Sequence, residues 1–464
     1  MPSVHFSGIG GTAMVAGARL ALEAGWEVRG SDQALYPPAS NMVAALCVPV
    51  FVGYDAGNLD WRPDVVVIGN ALSRGNPEVE TALSRRMRYV SLPEWLKENV
   101  LRHRRPVVIC GTHGKTTTTA LAAHVLDKGM AGTGYLIGGE TLGFPHSSRL
   151  GEVNAPFVIE GDEYDTAFFD KRAKFLHYLP EIAVVTSLEF DHGDIYRDLV
   201  EIETAFRRML RQIPKEGRLF LCADNHAASL AKHAFSNVAT YGFAATADWR
   251  GEPHDHAAAP PSLDIWRHNA FWGNVRPPMA GKHNMLNTLA SVAVAATLGM
   301  NDEAIKNAVS AFPGVRRRME VFLEHKGVVF VDDFAHHPTA IRETIAAARM
   351  RWPERRIRAV FEPRSNTTVT KRFQHELALS FQQAGEVFLG PVHRKESIPE
   401  EERLDTRQLA SDLNESGVPA AHFEDVPSIV AAIADSICDG DVVLIMSNGA
   451  FGGIYAQFRE RFAQ

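Results

Sequence analysis

Residues 107–119 read Val-Val-Ile-Cys-Gly-Thr-His-Gly-Lys-Thr-Thr-Thr-Thr. The apolar run at 107–110 predicts a buried strand, and the glycines after it predict a tight turn into a helix that reaches about Lys128. In such a unit the backbone N–H groups surround phosphates, a lysine reaches the β- and γ-phosphates, and a hydroxyl can bind Mg²⁺. The loop is shorter than a full Walker A motif, because Ile109 stands where that motif has its first glycine. We predict a phosphate-binding loop made of Gly111, Thr112, His113, Gly114, Lys115, Thr116 and Thr117.

The same alternation of short apolar strands and longer helical patterns extends along the chain on both sides of this loop. It predicts an α/β fold with mainly parallel sheets. The charged run 101–106, which ends in proline, and the turn residues at 311–314 mark two boundaries. We therefore expect three domains at 1–104, 105–313 and 314–464, in keeping with a chain of 464 residues. The polar segment 244–261 is expected to be a loop or an irregular excursion.

Composition excludes several classes of protein. Lys and Arg number 48 against 55 Asp and Glu, and the net charge of −7 argues against a general nucleic-acid or anionic-membrane binder. The four cysteines, at 47, 110, 222 and 438, are too far apart to suggest a zinc knuckle or a disulfide framework. The first residues do not have the pattern of a signal peptide, and no apolar run approaches a membrane span of ~20 residues. We expect a cytoplasmic protein.

A second glycine-rich loop, Gly8-Ile9-Gly10-Gly11-Thr12-Ala13, also follows a strand and opens a helix. Glycines allow the backbone to approach a ligand closely, and a helix N-terminus favours a phosphate. Asp32 ends the next strand, so the segment also fits a dinucleotide fingerprint. An NAD-dependent oxidoreductase and a non-catalytic nucleotide sensor therefore stay open as alternatives at this point.

Further polar groups follow other strands. Glu160 begins the acidic run 160–165, which is either a cation site or a solvated loop, and His192 lies in the run 189–194. Asn284 and Asn287 share one face of a helix, where they either pair with an adenine edge or serve the helix itself. In the last domain the three arginines at 316–318 either clamp phosphates or form a solvated charge run. The runs 332–338, 362–366 and 447–453 follow strands, and open α/β sheets bind ligands at the carboxyl ends of strands.

The order of these motifs along the whole chain resembles that of the Mur ligases, the ATP-dependent amino-acid and peptide ligases of cell-wall synthesis. The motifs are GIGG at 8–11, GTHGKTTTT at 111–119, Glu160, Asp-His at 191–192, HNMLN at 283–287 and DDFAHHP at 332–338. The resemblance implies a three-domain architecture. Its parts are a Rossmann-like N-terminal domain for the UDP-muramyl substrate, a central P-loop-type ATPase domain, and a C-terminal Rossmann-like α/β domain for the peptide and part of ATP.

The resemblance also implies an activity. The segments 70–77, 164–172 and 362–367 and the run SNGAFGG at 447–453 favour the family member that joins UDP-N-acetylmuramate to the tripeptide L-Ala-γ-D-Glu-meso-diaminopimelate in peptidoglycan recycling. The alternative within the family is the ligase that adds L-alanine to UDP-N-acetylmuramate. Either reaction implies ATP and Mg²⁺, an acyl-phosphate intermediate and no obligate protein partner.

Residue roles implied by the resemblance fall into four sets. The catalytic set is Lys115, Glu160 and His192, and the metal set is Thr116, Glu160 and His192. Beyond the loop, ATP is expected to contact His283, Asn284, Asn287, Arg317, Asp332, His336 and His337. The UDP substrate is expected at Gly8, Ile9, Gly10, Gly11, Thr12, Ser31, Asp32, Asn70 and Arg74, and the peptide at Arg364, Asn366, Ser447 and Asn448.

Two departures from the family pattern matter. Ser187 stands where these ligases commonly have Asn. Other members carry a carbamylated lysine downstream of the motif histidine, but no lysine occurs from Gly193 to Pro214. We therefore expect no carbamate in this chain.

Overall fold

The computed structural model describes residues 1–35, 39–191, 193, 195–254 and 261–462. His192, a predicted catalytic and metal-binding residue, lies outside the described residues. The described strands form three large sheets and one small hairpin.

The first sheet has five parallel strands in the order β3-β2-β1-β4-β5. The strands are β1 Ser3–Ser7, β2 Glu27–Asp32, β3 Val50–Val52, β4 Val65–Ile68 and β5 Tyr89–Ser91. The helices are α1 Thr12–Glu23, α2 Ala39–Ala44, α3 Pro77–Ser84 and α4 Leu92–Asn99. Asn76 starts α3, because its side chain accepts hydrogen bonds from the Glu78 and Val79 N–H groups. Pro77 fits the first helical position, where no N–H is needed.

The second sheet has ten strands in the order β17-β16-β15-β14-β13-β12-β6-β9-β7-β8. They are β6 Arg105–Cys110, β7 Gly134–Leu136, β8 Ser148–Arg149, β9 Pro156–Gly161, β12 Ile182–Val185, β13 Arg218–Cys222, β14 Asn237–Gly242, β15 Trp249–His254, β16 Ser262–Arg267 and β17 Ala270–Val275. Its helices are α5 Lys115–Gly129, α6 Leu199–Leu210, α7 Lys282–Thr297 and α8 Asp302–Ser310. Strands β10 Asp165–Ala167 and β11 Asp170–Ala173 form a separate hairpin.

One sequence expectation was wrong here. Part of the segment expected to be irregular forms strand β15, which pairs antiparallel with β16 over six residues. The residues of β15 include glycine and proline and show no apolar alternation, so the local sequence gives no strand signal. Pairing with β16 decides the conformation. Residues 255–260 lie outside the described residues.

The third sheet has the order β18-β19-β23-β20-β21-β22, with only β18 antiparallel to its neighbour. The strands are β18 Glu320–His325, β19 Val328–Asp333, β20 Ile357–Phe361, β21 Glu386–Leu389, β22 Ala420–His422 and β23 Val442–Met446. The helices are α9 Pro338–Arg351, α10 Gln374–Ser380, α11 Thr406–Glu415, α12 Val426–Ser436 and α13 Ile454–Phe462.

The hydrophobic cores show how the three sheets are joined. One continuous core contains Phe6 of the first sheet and Val158 of the second. Phe168, on the β10–β11 hairpin, also packs against the core on the other face of the first sheet. The third sheet has two cores of its own, one on each face. Hydrogen bonds described below join the third domain to the segment that follows β12. None of the described helices has both the length and the apolar character that crossing a membrane requires.

Candidate functional site

A cavity of about 630 Å³ lies between the second and third sheets. From the central domain it is lined by residues 112–117, Glu160, Asp162, Ser187, His283, Asn284 and Asn287. From the third domain it is lined by Arg318, Asp333, His336 and Asn448. Much of the predicted ATP set is thus gathered in one place.

The predicted phosphate-binding loop joins β6 to α5 and depends on two glycines. Gly111 and Gly114 have φ values of +129° and +81°. A Cβ on Gly111 would lie 2.3 Å from the hydroxyl of Thr186, and a Cβ on Gly114 would lie 2.7 Å from Asn287 Oδ1. Both the backbone conformation and the close packing therefore require glycine.

Ser187 helps to hold this loop. Its hydroxyl accepts a hydrogen bond from the His113 N–H at 2.8 Å and lies 3.0 Å from the hydroxyl of Thr112. Its carbonyl accepts the Thr112 N–H at 3.1 Å. The serine found in place of the usual asparagine therefore still contacts the loop.

Lys115 is the first residue of α5, and its ammonium points back into the loop. It donates to the Gly111 carbonyl at 2.8 Å and lies 2.8 Å from a carboxylate oxygen of Glu163, whose side chain is fully buried. Burial opposes the charge of this lysine, but the nearby Glu163, Asp162 and Glu160 carboxylates raise its pKa above the ordinary value. The ammonium therefore remains charged at the floor of the cavity.

Thr116 and Glu160 form a pair suited to a divalent cation. The Thr116 hydroxyl donates to one carboxylate oxygen of Glu160, and the Gly138 N–H donates to the other, each at 3.1 Å. Burial raises the pKa of Glu160, and the charge of Lys115 opposes that rise. A hydroxyl and a carboxylate beside a phosphate loop are oxygen ligands of the kind that Mg²⁺ prefers. The donor set fits that ion.

The two asparagines of α7 are engaged inside the protein. Asn287 accepts a hydrogen bond from the Thr118 hydroxyl at 3.0 Å, and its amide lies 3.3 Å from Asn284 Oδ1. Asn284 in turn donates to the Ala280 carbonyl. In contrast, Nδ1 of His283 is buried without a hydrogen-bond partner among the described residues. Of these three cavity-lining residues, His283 is the one whose side chain has a polar atom without a partner.

Two neighbouring arginines have different surroundings. Arg318 lines the cavity. Arg317 points into the third domain, where it donates to Asp332 at 3.1 Å and to the carbonyls of Ser447 and Gly449. Tyr455 donates to the other oxygen of Asp332 at 2.7 Å. Arg317 and Asp332 were both expected at ATP, but Arg317 binds Asp332 and the 447–449 loop instead. Of the two arginines, Arg318 is the one that lines the cavity.

The third domain docks on the segment Glu189–Asp191. Thr339 donates to Glu189 at 2.7 Å, and Thr367 donates to Asp191 at 3.0 Å. His337, expected at ATP, caps α9 by accepting the Thr339 N–H, and its other nitrogen lies 3.2 Å from the Phe190 carbonyl. This histidine therefore belongs to the contact between the domains.

His113, Glu189 and His337 lie close enough for their ligand atoms to fall within 4.8 Å of one another. Both ring nitrogens of His337 are already used by the Thr339 N–H and the Phe190 carbonyl, and Glu189 accepts from Thr339. We therefore assign no metal to this cluster. His336, the neighbouring residue, lines the cavity, and burial lowers its pKa to about 4.

The predicted peptide-binding residues have different surroundings. Glu362 is buried, accepts the Ser447 hydroxyl, and lies 3.4 Å from the guanidinium of Arg364. Arg364 packs directly against Gly449, where a Cβ would overlap its guanidinium. Asn448 lines the cavity, and its buried Oδ1 has no hydrogen-bond partner among the described residues. Asn366, the remaining member of the set, has contacts within the protein.

In the first domain, the loop at 8–11 uses its own N–H groups internally. Gly8 and Ile9 donate to the Ser31 carbonyl at 2.8 and 3.0 Å, and Gly10 donates to Asp32 at 2.7 Å. Helix α1 begins at Thr12 with no side-chain cap. The first turn of α1, more than the loop itself, is therefore the part that can receive an anion.

The other two expected UDP contacts lie nearer the domain boundary. Asn70 donates to Asp165 of the β10–β11 hairpin at 3.1 Å, so it links the first and central domains. Arg74 is exposed and pairs with Glu80 at 2.8 Å.

Comparison with known proteins agrees with this geometry. Residues 3–104 match the model described as Mur ligase family, catalytic domain, residues 109–295 match the Mur ligase middle domain, and residues 317–449 match the Mur ligase, glutamate ligase domain. The UDP-N-acetylmuramate–L-alanyl-γ-D-glutamyl-meso-2,6-diaminoheptandioate ligase of Escherichia coli is 39% identical over 99% of this chain and 98% of its own length. The chain belongs to the Mur ligase family.

Other proteins are also similar to this Mur ligase over nearly their whole length. A murein peptide ligase from Psychrobacter arcticus has a crystal structure that matches with a TM-score of 0.74 and 34% identity, covering 100% of this chain and 99% of that one. A UDP-N-acetylmuramate–L-alanine ligase from Desulforapulum autotrophicum is 31% identical over 96% of this chain and 95% of its own length. The three-domain α/β architecture expected from the sequence is confirmed.

Glu163 and Arg318 are among the residues at the site of this Mur ligase that sequence reasoning did not single out. Glu163 was noticed only as part of an acidic run, because its contact with Lys115 joins residues that are 48 apart in the chain. Arg318 was considered together with Arg316 and Arg317, and nothing in three consecutive arginines distinguishes the one that faces the cavity.

Proposed function

We propose that this Mur ligase joins UDP-N-acetylmuramate to L-Ala-γ-D-Glu-meso-diaminopimelate with hydrolysis of ATP. The observation that carries the proposal is the 39% identity over almost the whole chain to a ligase with that substrate in its name. The reaction class is that of the family, the ATP-dependent formation of an amide bond. We further propose that residues 1–104 hold the UDP-muramyl part, 105–313 hold ATP, and 314–464 hold the peptide and part of ATP. We place the reaction in the cytoplasm, where ATP is available.

The first chemical step brings two anions together. The muramyl carboxylate attacks the γ-phosphorus of ATP, ADP leaves, and an acyl phosphate forms. This step needs positive charge more than covalent help from the protein. Lys115 supplies charge at the floor of the cavity, and Arg318 supplies charge from the third domain. In the second step the tripeptide α-amine attacks the acyl carbon, loses a proton and releases phosphate.

Mg²⁺, when bound, neutralises charge on the β- and γ-phosphates. Thr116 and Glu160 are the residues that would hold it, and His192 is expected to join them by resemblance to the family. Thr339 and Thr367, by binding the Glu189–Asp191 segment, close the third domain over this region. Closure would exclude water from the acyl phosphate, which water would otherwise hydrolyse.

The remaining roles concern other polar side chains of the site. His283 and Asn448 have unused buried atoms at the cavity. We propose that His283 contacts adenine together with Asn284 and Asn287, and that Asn448 faces the reacting groups. The guanidinium of Arg364 suits a peptide carboxylate, because its planar fork can donate two parallel hydrogen bonds.

The test is phosphate release from ATP and Mg²⁺ with UDP-N-acetylmuramate, with the tripeptide or L-alanine as acceptor. We expect release with the tripeptide and none above background with L-alanine. Release with L-alanine alone would instead assign the activity of the L-alanine ligases. Release that does not depend on the muramyl substrate would exclude both.

A further inference from the structure

Glu78 is a buried carboxylate that has no place in the reaction described above. It lies in the first turn of α3, and its side chain is fully buried. One carboxylate oxygen accepts hydrogen bonds from the Ser7 hydroxyl at 2.5 Å and the Ser31 hydroxyl at 2.6 Å, with His5 Nε2 at 3.3 Å. The other oxygen accepts from Asn58 Nδ2 at 2.7 Å. Four polar groups from three separate segments thus meet on one side chain: His5 and Ser7 of β1, Ser31 of β2, and Asn58.

Two of these groups, Ser7 and Ser31, adjoin the glycine-rich loop. Ser7 is the last residue of β1 and precedes Gly8. Ser31 lies near the end of β2, and its carbonyl accepts the N–H groups of both Gly8 and Ile9. By accepting hydrogen bonds from both serine hydroxyls, Glu78 joins the end of β1 to the end of β2. These two strand ends position the glycine-rich loop.

The chemistry of the cluster requires a carboxylate. Hydrogen bonds to a charged group are stronger than those between neutral groups, and a buried charge is tolerated where several donors satisfy it. A buried apolar residue would fill the same space but would leave both serine hydroxyls without this acceptor. The network therefore serves the geometry of the strand ends more than general packing.

We propose that Glu78 is a positioning residue for the UDP-linked substrate, holding Ser7 and Ser31 so that the loop and the first turn of α1 keep the geometry that receives the pyrophosphate. The inference rests on the proposed function, in which this loop binds UDP-N-acetylmuramate. Glu78 touches no substrate and acts only through the loop.

The test uses Glu78→Gln in the full chain. Glutamine keeps the size but has one acceptor oxygen, so it cannot serve all four donors. We expect the KM for UDP-N-acetylmuramate to rise about tenfold, as for the loss of one charge-assisted hydrogen bond, with kcat and the KM for ATP changed by less than about twofold. Ser7→Ala should shift the same KM in the same direction by a smaller factor, and it serves if Glu78→Gln does not fold.

Asp64→Asn is the matched control. Asp64 accepts two hydrogen bonds from Ser3, each at 2.8 Å, at the opposite end of β1. Removing its charge perturbs the same strand far from the loop, so the KM for UDP-N-acetylmuramate should stay unchanged.

Direct binding of UDP-N-acetylmuramate, measured by calorimetry without ATP, separates the two hypotheses. If the wild-type protein binds and Glu78→Gln and Ser7→Ala bind equally well, only this inference is overturned. A general loss, with kcat and both KM values affected alike, would also overturn it, because that result describes a structural role. If the wild-type protein does not bind, the proposed function and this inference both fail.

Discussion

The ammonium of Lys115 and the carboxylate of Glu163 lie 2.8 Å apart, and the Glu163 side chain is fully buried. Lys115 therefore lies between a carboxylate of the protein and the space where phosphates are proposed to bind. The Lys115 ammonium thus contributes both to the stability of the fold and to the proposed catalysis. The two contributions have to be measured separately.

Replacing Lys115 separates them. Lys115→Met should reduce ligation at least about 1000-fold, because the charge that stabilises phosphoryl transfer is lost. It should also lower the free energy of unfolding by about 3 kcal/mol, because the cation facing Glu163 is gone. Adding Glu163→Gln should restore stability but not activity. Denaturant unfolding and phosphate release measure the two effects, and an active Lys115→Met protein would contradict the catalytic role.

Thr116 should set the requirement for Mg²⁺. Thr116→Val keeps the shape but removes the hydroxyl that lies 3.1 Å from Glu160. The Mg²⁺ concentration for half-maximal activity should rise about tenfold, as expected when one ligand is lost. Thr119→Val is the control, since the Thr119 hydroxyl bonds only to the Lys115 carbonyl within the described α5. An equal rise in both variants would argue against a metal site at Thr116.

The neighbouring arginines should give opposite results. Arg318→Ala should reduce kcat/KM for ATP about 100-fold, because its charge faces the cavity, and should change the free energy of unfolding by less than about 0.5 kcal/mol. Arg317→Ala should lower that free energy by about 2 kcal/mol, because Asp332 and two carbonyls lose their donor. Steady-state kinetics and urea unfolding of both variants test these assignments. If Arg318→Ala lowers mainly stability and Arg317→Ala lowers mainly kcat/KM for ATP, the two roles are exchanged.

Arg364 should govern the peptide substrate. Arg364→Lys keeps the charge but loses the planar fork, so the KM for the tripeptide should rise about tenfold while the KM for UDP-N-acetylmuramate stays unchanged. Arg407→Lys, on the surface of the same domain and paired with Glu424, is the control. A tripeptide KM that does not respond to Arg364→Lys would remove this residue from the peptide site.

His283 predicts a pH dependence of stability. Burial, helped by the charge of Arg318, lowers its pKa from 6.5 to about 4. Between these values the unfolded chain binds a proton that the folded chain does not, so the free energy of unfolding falls as the pH decreases from 6.5 towards 4.

The contribution of His283 to this decrease should be about 2 kcal/mol, and His283→Gln should lack it. Urea unfolding of the protein without nucleotide, at about pH 7 and about pH 4.5, measures the difference. His268→Gln, in an exposed turn, should behave like the wild type. If the free energy of unfolding changes with pH by the same amount in all three proteins, His283 is excluded as the source of the change.

Much of the site could be predicted because its parts are local. The segment from Val107 to Thr116 contains the end of a strand, a turn and the start of a helix, and residue type and spacing are enough to indicate phosphate binding. The strand β15 could not be predicted in this way, because its residues show no apolar alternation and its partner β16 determines its conformation.

The chain's own residues therefore determine the α/β class, the three-part order and the two glycine-rich loops, since each depends on neighbours in sequence. Which side chains share the cavity depends on how the three sheets pack. Positive φ values at Arg317 and Met319 bend the backbone so that Arg318 lines the cavity while Arg317 lies against Asp332. Glu163 reaches Lys115, and Glu78 reaches Ser7 and Ser31, across 48, 71 and 47 residues of chain. Contacts over such separations arise only when distant segments are brought together, so no local pattern encodes them.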